Sequence, residues 1–227
     1  PIWAGPKTLI LLSSYSGNTE EILSCAQQAK SQGCLITGVT SGGQLKEFLR
    51  IGGYSFYCFE PRSNPSGLPR FGIGYGVFGQ LGILSKLWVV DKVGESDLDK
   101  QINDGTTHLR ACKEEIKASA TKLAKDVKEK ILVIFAAEHL EGNGQTFANQ
   151  VNETAKTLAF CVKLPNADHS LIEGFKKPQE PVAAIFIESE HFSSRMRERF
   201  RLTREIINKD GYNTYVYGIQ KGTLIQE

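Results

Sequence analysis

The sequence predicts an α/β protein built from two doubly wound parallel-sheet halves joined by a long helix, and three observations carry that expectation. Thr8-Leu9-Ile10-Leu11-Leu12 and Val182-Ala183-Ala184-Ile185-Phe186-Ile187 are short, unbroken apolar runs, the pattern of strands buried on both faces. Helical apolar spacing follows such runs, so strand and helix alternate as a parallel sheet requires. The alternation occurs twice, on either side of a charged stretch from Ser96 to Lys130. The expected boundaries are 1–92 for the first half, 93–129 for the connecting helix and 130–227 for the second half.

In the first half, the run at Thr8–Leu12 is the first strand. Residues from about Asn18 to Ser31 read as helix, with Ile22, Leu23, Ala26 and Ala29 on one stripe and Gly33 as the stop. Cys34–Val39 is a second strand, followed by a helix near Gln44–Arg50 and a short strand around Tyr54–Phe59. Glu60–Pro69, with its prolines, is loop. Phe71–Val90, apolar with repeated glycines, reads as a close-packed helix. The connector shows helical spacing at Leu98, Ile102, Leu109, Ile116, Leu123 and Val127. In the second half, Ile131–Phe135 is a strand, Gln145–Thr157 a helix and Val182–Ile187 a strand. Arg195–Lys209 is a basic helix and Thr214–Ile219 a last strand. Gly222–Ile225 reads as the first turn of another helix. With no initiator Met before Pro1 and that turn cut off at Glu227, both ends are expected to be cuts through a larger fold.

Composition narrows the function classes. With 27 basic and 25 acidic residues the net charge is +2, which argues against a general nucleic-acid binder. The arginines at 195, 197, 199, 201 and 204 are expected to be a solvated helix face. No apolar run approaches the roughly 20 residues of a membrane span. The 5 cysteines are odd in number and form no CxxC pair, as expected of a reducing, cytoplasmic compartment. His108, His139 and His191 show no metal-ligand spacing with cysteines or one another, so no metal is assigned to them.

The turn after the first strand is the strongest chemical signal. Ser14, Ser16 and Thr19 surround Gly17-Asn18 where a helix begins. A phosphate needs several donors at once, and a helix N-terminus supplies free N–H groups and partial positive charge. Hydroxyls add donors, and Gly17 admits close backbone approach. No lysine follows, so the triphosphate loop pattern is absent and a phosphate monoester is favoured. The plain alternative is that Ser16 or Asn18 only caps the helix, with Glu20 or Glu21 in its first turn.

The string Ser13-Ser14-Tyr15-Ser16-Gly17-Asn18-Thr19-Glu20-Glu21 resembles the signature of the sugar isomerase (SIS) domain family, whose members bind sugar phosphates at such a turn. Three further landmarks resemble its bifunctional phosphoglucose/phosphomannose isomerase branch: Pro69-Arg70-Phe71-Gly72, Asn152-Glu153-Thr154-Ala155-Lys156, and Asp168-His169-Ser170-Leu171-Ile172-Glu173-Gly174-Phe175. The resemblance implies interconversion of glucose 6-phosphate and mannose 6-phosphate with fructose 6-phosphate through a cis-enediol. It makes Glu153 the base, His169 the ring-opening acid and Arg70 the cation beside the developing enediolate. It also implies a homodimer in which the neighbouring subunit donates His169, and no cofactor or metal. A glycine–serine phosphate segment upstream of Pro1 and a lysine-bearing helix beyond Glu227 are expected from the same resemblance. The rival readings are a non-catalytic sugar-phosphate-binding regulator and another phosphosugar isomerase of the family. His139, just past the strand at 131–135, is a lesser candidate for the pocket, and Gly72-Ile73-Gly74-Tyr75-Gly76 reads as helix packing rather than a dinucleotide loop.

Overall fold

The structure is a computed structural model that describes residues 3–87, 98–176 and 181–219. The chain divides into two compact units, Pro1–Ser96 and Asp97–Glu227.

In the first unit, β1 (Leu9–Ser14), α1 (Glu20–Ser31), β2 (Leu35–Thr40), α2 (Gly43–Ile51) and β3 (Phe56–Cys58) precede α3 (Ile73–Lys86). The strands are parallel in the order β1-β2-β3, with Ser14 opposite Thr40 and Thr40 opposite Cys58. That register brings all three carboxyl ends to one edge of the sheet. Leu12 and Ile36 form a core with Ala26, Ala29, Leu45 and Leu49 of α1 and α2. The intervening residue Val39 faces the other way, because side chains alternate along a strand. There a Cβ on Gly79 of α3 would lie 2.9 Å from Val39 and 2.8 Å from Tyr57, so α3 lies close against that face. The glycine-rich stretch thus packs tightly at Gly79. Its helix begins after Gly72, and Trp88–Val90 lie outside the described residues.

In the second unit, α4 (Leu98–Ala111) and α5 (Lys113–Asp126) precede β4 (Ile131–Ala136), α6 (Glu141–Gln150), β5 (Ala159–Lys163) and α7 (Leu171–Gly174). Then come β6 (Val182–Ser189), α8 (Ser194–Lys209) and β7 (Asn213–Ile219). The sheet is parallel in the order β5-β4-β6-β7. Alternate residues of β6 serve separate cores. Ala184 and Phe186 join Phe135, Phe200 and Ile207 on one face, while Ala183 and Ile185 join Leu132, Ile134 and Ala148 on the other. Helices therefore cover both faces, as a doubly wound sheet demands.

Where one connecting helix was expected, residues 98–126 form two helices that meet at Cys112 (φ −88°, ψ 2°). Leu123 and Val127 pack into the second unit's core, which draws this stretch to that unit. Residues 93–97 lie outside the described residues, as does the turn expected at 222–225. β5 has no counterpart in the sequence reading. It is short and lies at the sheet edge with Phe160 half exposed, so its apolar run is weak. Among the described residues no helix is long and apolar enough to cross a membrane.

Candidate functional site

The turn between β1 and α1 is held by its own hydroxyls. Ser14, buried at the strand end, shares a 2.8 Å hydrogen bond with Thr19 and accepts the Gly17 N–H at 3.1 Å. Ser16 Oγ accepts the Asn18 N–H at 3.2 Å. Gly17 has φ +71°, and a Cβ there would run into the carbonyl of Gly42. The second βα turn is laced to the first: Ser41 N–H and Oγ–H donate to the Tyr15 carbonyl at 3.0 and 2.6 Å, and Leu45 N–H donates to the Gly17 carbonyl at 2.8 Å. Asn18 Oδ1 accepts the Gln44 N–H at 3.1 Å, so this side chain caps α2 rather than its own helix. Ser16 and Thr19 remain exposed at the start of α1, whose cap residue makes no side-chain cap bond. The turn can therefore offer hydroxyls and N-terminal N–H groups to an anion, with Ser14, Gly17 and Asn18 holding its shape.

Arg70 sits half-buried in the single 3₁₀ turn Pro69–Phe71 of the same unit. Tyr15 fastens this turn to the cradle. Buried Asn64 donates to Tyr15 Oη and to the Leu68 carbonyl, both at 2.8 Å, and accepts from Ser66 at 2.6 Å. A Cβ on Gly72 would overlap the Tyr15 ring. Tyr15 also meets Phe59 edge-on at 5.3 Å, and Phe59 stacks on Tyr75 at 4.8 Å. The cradle and Arg70 are thus brought together by Asn64, which nothing in a proline-rich loop marked out.

The second unit carries Glu153 and His169. α6 passes into a π-helical turn, Val151–Ala155, a form that often marks functional positions. Asn152 pins that turn to the start of β5, donating to the Ala159 carbonyl at 2.8 Å and accepting its N–H at 2.9 Å. Lys156 (φ 54°) ends the turn and donates to the Glu153 carbonyl at 2.7 Å. The Glu153 side chain is exposed. His169 closes the 3₁₀ turn Asn166–His169 beyond the other end of β5 and is also exposed. Because β5 stands between them, Glu153 lies at the amino edge of the second sheet and His169 at its carboxyl edge. One chain does not bring this pair together.

Asp168 accepts from Arg199 at 3.0 Å and from Thr203 at 2.8 Å. Arg204 pairs with Glu188 at 2.9 Å, and burial still pushes the Glu188 carboxyl above its usual range, with Arg204 opposing. Arg201 pairs with Glu198 and Glu205, and Arg197 donates to the carbonyls of Glu190 and Phe192. Arg195, Arg197 and Arg201 are exposed, as a solvated face requires, while Arg199 and Arg204 are half-buried and pair with carboxylates of other elements. His139 lies edge-on to His191 at 6.4 Å and to Phe192 at 5.4 Å, beside the carboxyl ends of β4 and β6. No group of three His, Cys, Asp or Glu side chains suited to a metal ion occurs among the described residues.

Comparison with known proteins places these features. Residues 116–227 match the family model of the bacterial phospho-glucose isomerase C-terminal SIS domain. A protein of Caldicellulosiruptor bescii named bifunctional phosphoglucose/phosphomannose isomerase is 30% identical over 214 residues, covering 91% of this chain and 62% of that protein. A Sulfolobus acidocaldarius D-glucosamine-6-phosphate 4-epimerase is 33% identical over 175 residues, 76% of this chain and 53% of its own. The crystal structure of tagatose-6-phosphate ketose/aldose isomerase from Escherichia coli superposes with a TM-score of 0.68 at 16% identity, over 99% of this chain and 61% of that one, a likeness of fold. The chain spans 62% of the length of the first of these relatives. From residue 116 on the chain thus matches the SIS domain family, and over 91% of its length it is similar to a bifunctional phosphoglucose/phosphomannose isomerase.

Proposed function

We propose that this protein interconverts glucose 6-phosphate, and mannose 6-phosphate, with fructose 6-phosphate. The observation that carries the reading is the likeness to bifunctional isomerases over 91% of the chain, which takes in both units. The phosphate is held by Ser16, Thr19 and the start of α1, with Ser14, Gly17 and Asn18 shaping the turn. His169 donates a proton to the ring oxygen and opens the pyranose. Glu153 then removes the proton from C2, the electrons move toward O1, and a cis-enediol forms. Returning a proton to C1 leaves the carbonyl at C2. Arg70, tied to the cradle through Tyr15, offsets the negative charge that develops on the enediolate oxygens. The change of oxidation state is internal to the sugar, so side chains alone move the proton and no cofactor or metal enters. The protein works as a cytoplasmic homodimer, with His169 supplied by the neighbouring copy. The placement of Glu153 and His169 at opposite sheet edges supports that donation.

The decisive measurement is formation of fructose 6-phosphate from each aldose phosphate by the intact protein, beside Glu153→Gln. The variant should bind substrate and lose ~10²–10⁴ in kcat, the usual worth of one acid–base group. Tight binding with no turnover in the wild type would leave a sugar-phosphate sensor. Full turnover in Glu153→Gln would remove that residue from the role of base. The likeness to a glucosamine-6-phosphate epimerase favours a second reading, an amino-sugar phosphate as substrate, and incubation with glucosamine 6-phosphate, followed by NMR for an epimer that keeps its amino group, separates the two.

A further inference from the structure

We infer that Arg199 and Thr203 are positioning residues that hold the His169 turn through Asp168. The inference rests on His169 being the ring-opening acid. His169 follows directly on Asp168, and each carboxylate oxygen of Asp168 has its own donor. Oδ2 accepts from Arg199 Nη1 at 3.0 Å and Oδ1 from Thr203 Oγ1 at 2.8 Å. The two donors are four residues apart on α8, so they stand on one face of the helix one turn from each other. Thr203 is only 4% exposed and the side chains of Asp168 and Arg199 are 22% and 34% exposed. Water therefore competes weakly for the carboxylate, and a charge-assisted bond in such a setting is roughly twice as strong as a neutral one.

Below this polar clamp, Ala167 and Phe175 sit in the core on either side of the turn, with Phe200 and Ile207 of α8 in the same cluster. The backbone at His169 is thereby fixed to α8 by polar bonds on one side of the sequence and apolar contacts on both. The imidazole is exposed, and its reach is set by where that backbone is held. A displacement of about 1 Å in a catalytic group costs on the order of 10²-fold in rate, so the clamp bears directly on catalysis. The side-chain hydrogen bonds of Arg199 and Thr203 in this region go to Asp168. They act through Asp168 alone.

The test compares Arg199→Met, which keeps the apolar stem, with Arg199→Lys, Thr203→Val and His169→Ala in the intact protein. The substrate is glucose 6-phosphate with hydrogen or deuterium at C2. Arg199→Met should lower kcat by roughly 10–100-fold with a KM change of no more than a few-fold. As ring opening becomes limiting, the isotope effect at C2 should fall toward unity, in the direction of His169→Ala. Arg199→Lys should restore part of the rate, and Thr203→Val should shift rate and isotope effect in the same sense. If Arg199→Met is lost to misfolding, Thr203→Val, nearly the same shape, decides alone. A folded variant with unchanged kcat, or a lower kcat at an unchanged isotope effect, overturns the inference. Wild-type turnover that falls in His169→Ala but not in the clamp variants overturns only the clamp. Absence of wild-type turnover removes the isomerase reading and the clamp with it.

Discussion

Neighbouring serines of one short string have different physical jobs. Ser14 is buried, takes the Gly17 N–H and bonds Thr19, so it holds the turn closed. Ser16 is exposed and has only the Asn18 N–H as its partner among the hydrogen bonds of this turn. Removing a hydroxyl that leaves a buried donor unmet costs about 1–3 kcal/mol, whereas a bond to a charged ligand is worth about 1.5–3 kcal/mol to binding. Ser14→Ala should therefore lower the midpoint of urea unfolding. Ser16→Ala should leave that midpoint in place and weaken glucose 6-phosphate binding by roughly ten- to a hundredfold, read by calorimetry. Equal effects of the two variants on stability and binding would contradict this division. The residue pattern named the string as a unit. Burial sorted its members, and burial depends on Gly42 and Gln44, whose turn lies more than twenty residues on.

Glu153 is held by an element rather than by its own side chain. The helix that carries it changes from α to π geometry at Val151, and Asn152 fastens the widened turn to Ala159 by one donated and one accepted bond. Asn152→Ala would remove both and take these partners from the N–H and the carbonyl of buried Ala159. The expected cost is about 2 kcal/mol in unfolding free energy. It should be accompanied by a lower kcat at nearly constant KM, because the substrate's phosphate is held elsewhere. A loss in KM alone would sink the idea. The apolar spacing showed a helix here and placed it at 145–157, yet nothing in that spacing distinguishes a π turn, since the same residues fit either winding until β5 is in place beside them. The meeting of α4 and α5 at Cys112 was hidden for a related reason. No glycine or proline stands there, and the Cys112 N–H and carbonyl keep helical hydrogen-bond partners in His108 and Ile116.

At the scale of the whole molecule, both units are parallel sheets with helices, of three and four strands, and their first strand-to-helix turns differ in chemistry. After β1 the turn is rich in hydroxyls. After β4 the matching turn carries Glu138, in a left-handed backbone at φ 49°, and Glu141 opens α6 in an ion pair with Lys163 at 2.6 Å. Carboxylates there disfavour an anion, whereas the hydroxyls after β1 suit one. The separation of Glu153 from His169 across the second sheet makes a further prediction. If active sites are shared between two copies, Glu153→Gln and His169→Ala should each be inactive alone. Mixed, unfolded and refolded together, they should regain about a quarter of wild-type activity, since half the pairs are then mixed and each mixed pair has one intact site. No recovery, under conditions where mixed pairs are shown to form, would place the whole site in one chain.

The sequence by itself determined the doubly wound class, the strand-to-helix turn with its hydroxyls, and the positions of Arg70, Glu153 and His169 as landmarks. These are local matters: apolar runs, helical spacing and short strings are written in contiguous residues, and their physics needs no partner far along the chain. Tertiary structure alone decided that Asn64 joins Arg70 to the cradle, that Asn18 caps the next helix, and that Arg199 and Thr203 grip Asp168. An amide or a guanidinium is ambiguous in a sequence because its role is set by whichever group folding brings to its side. The arginines of α8 are the clearest case: five positive charges in ten residues read as a solvated stripe, and packing joined two of them, Arg199 and Arg204, to carboxylates of other elements and made a third, Arg197, a clasp on backbone carbonyls.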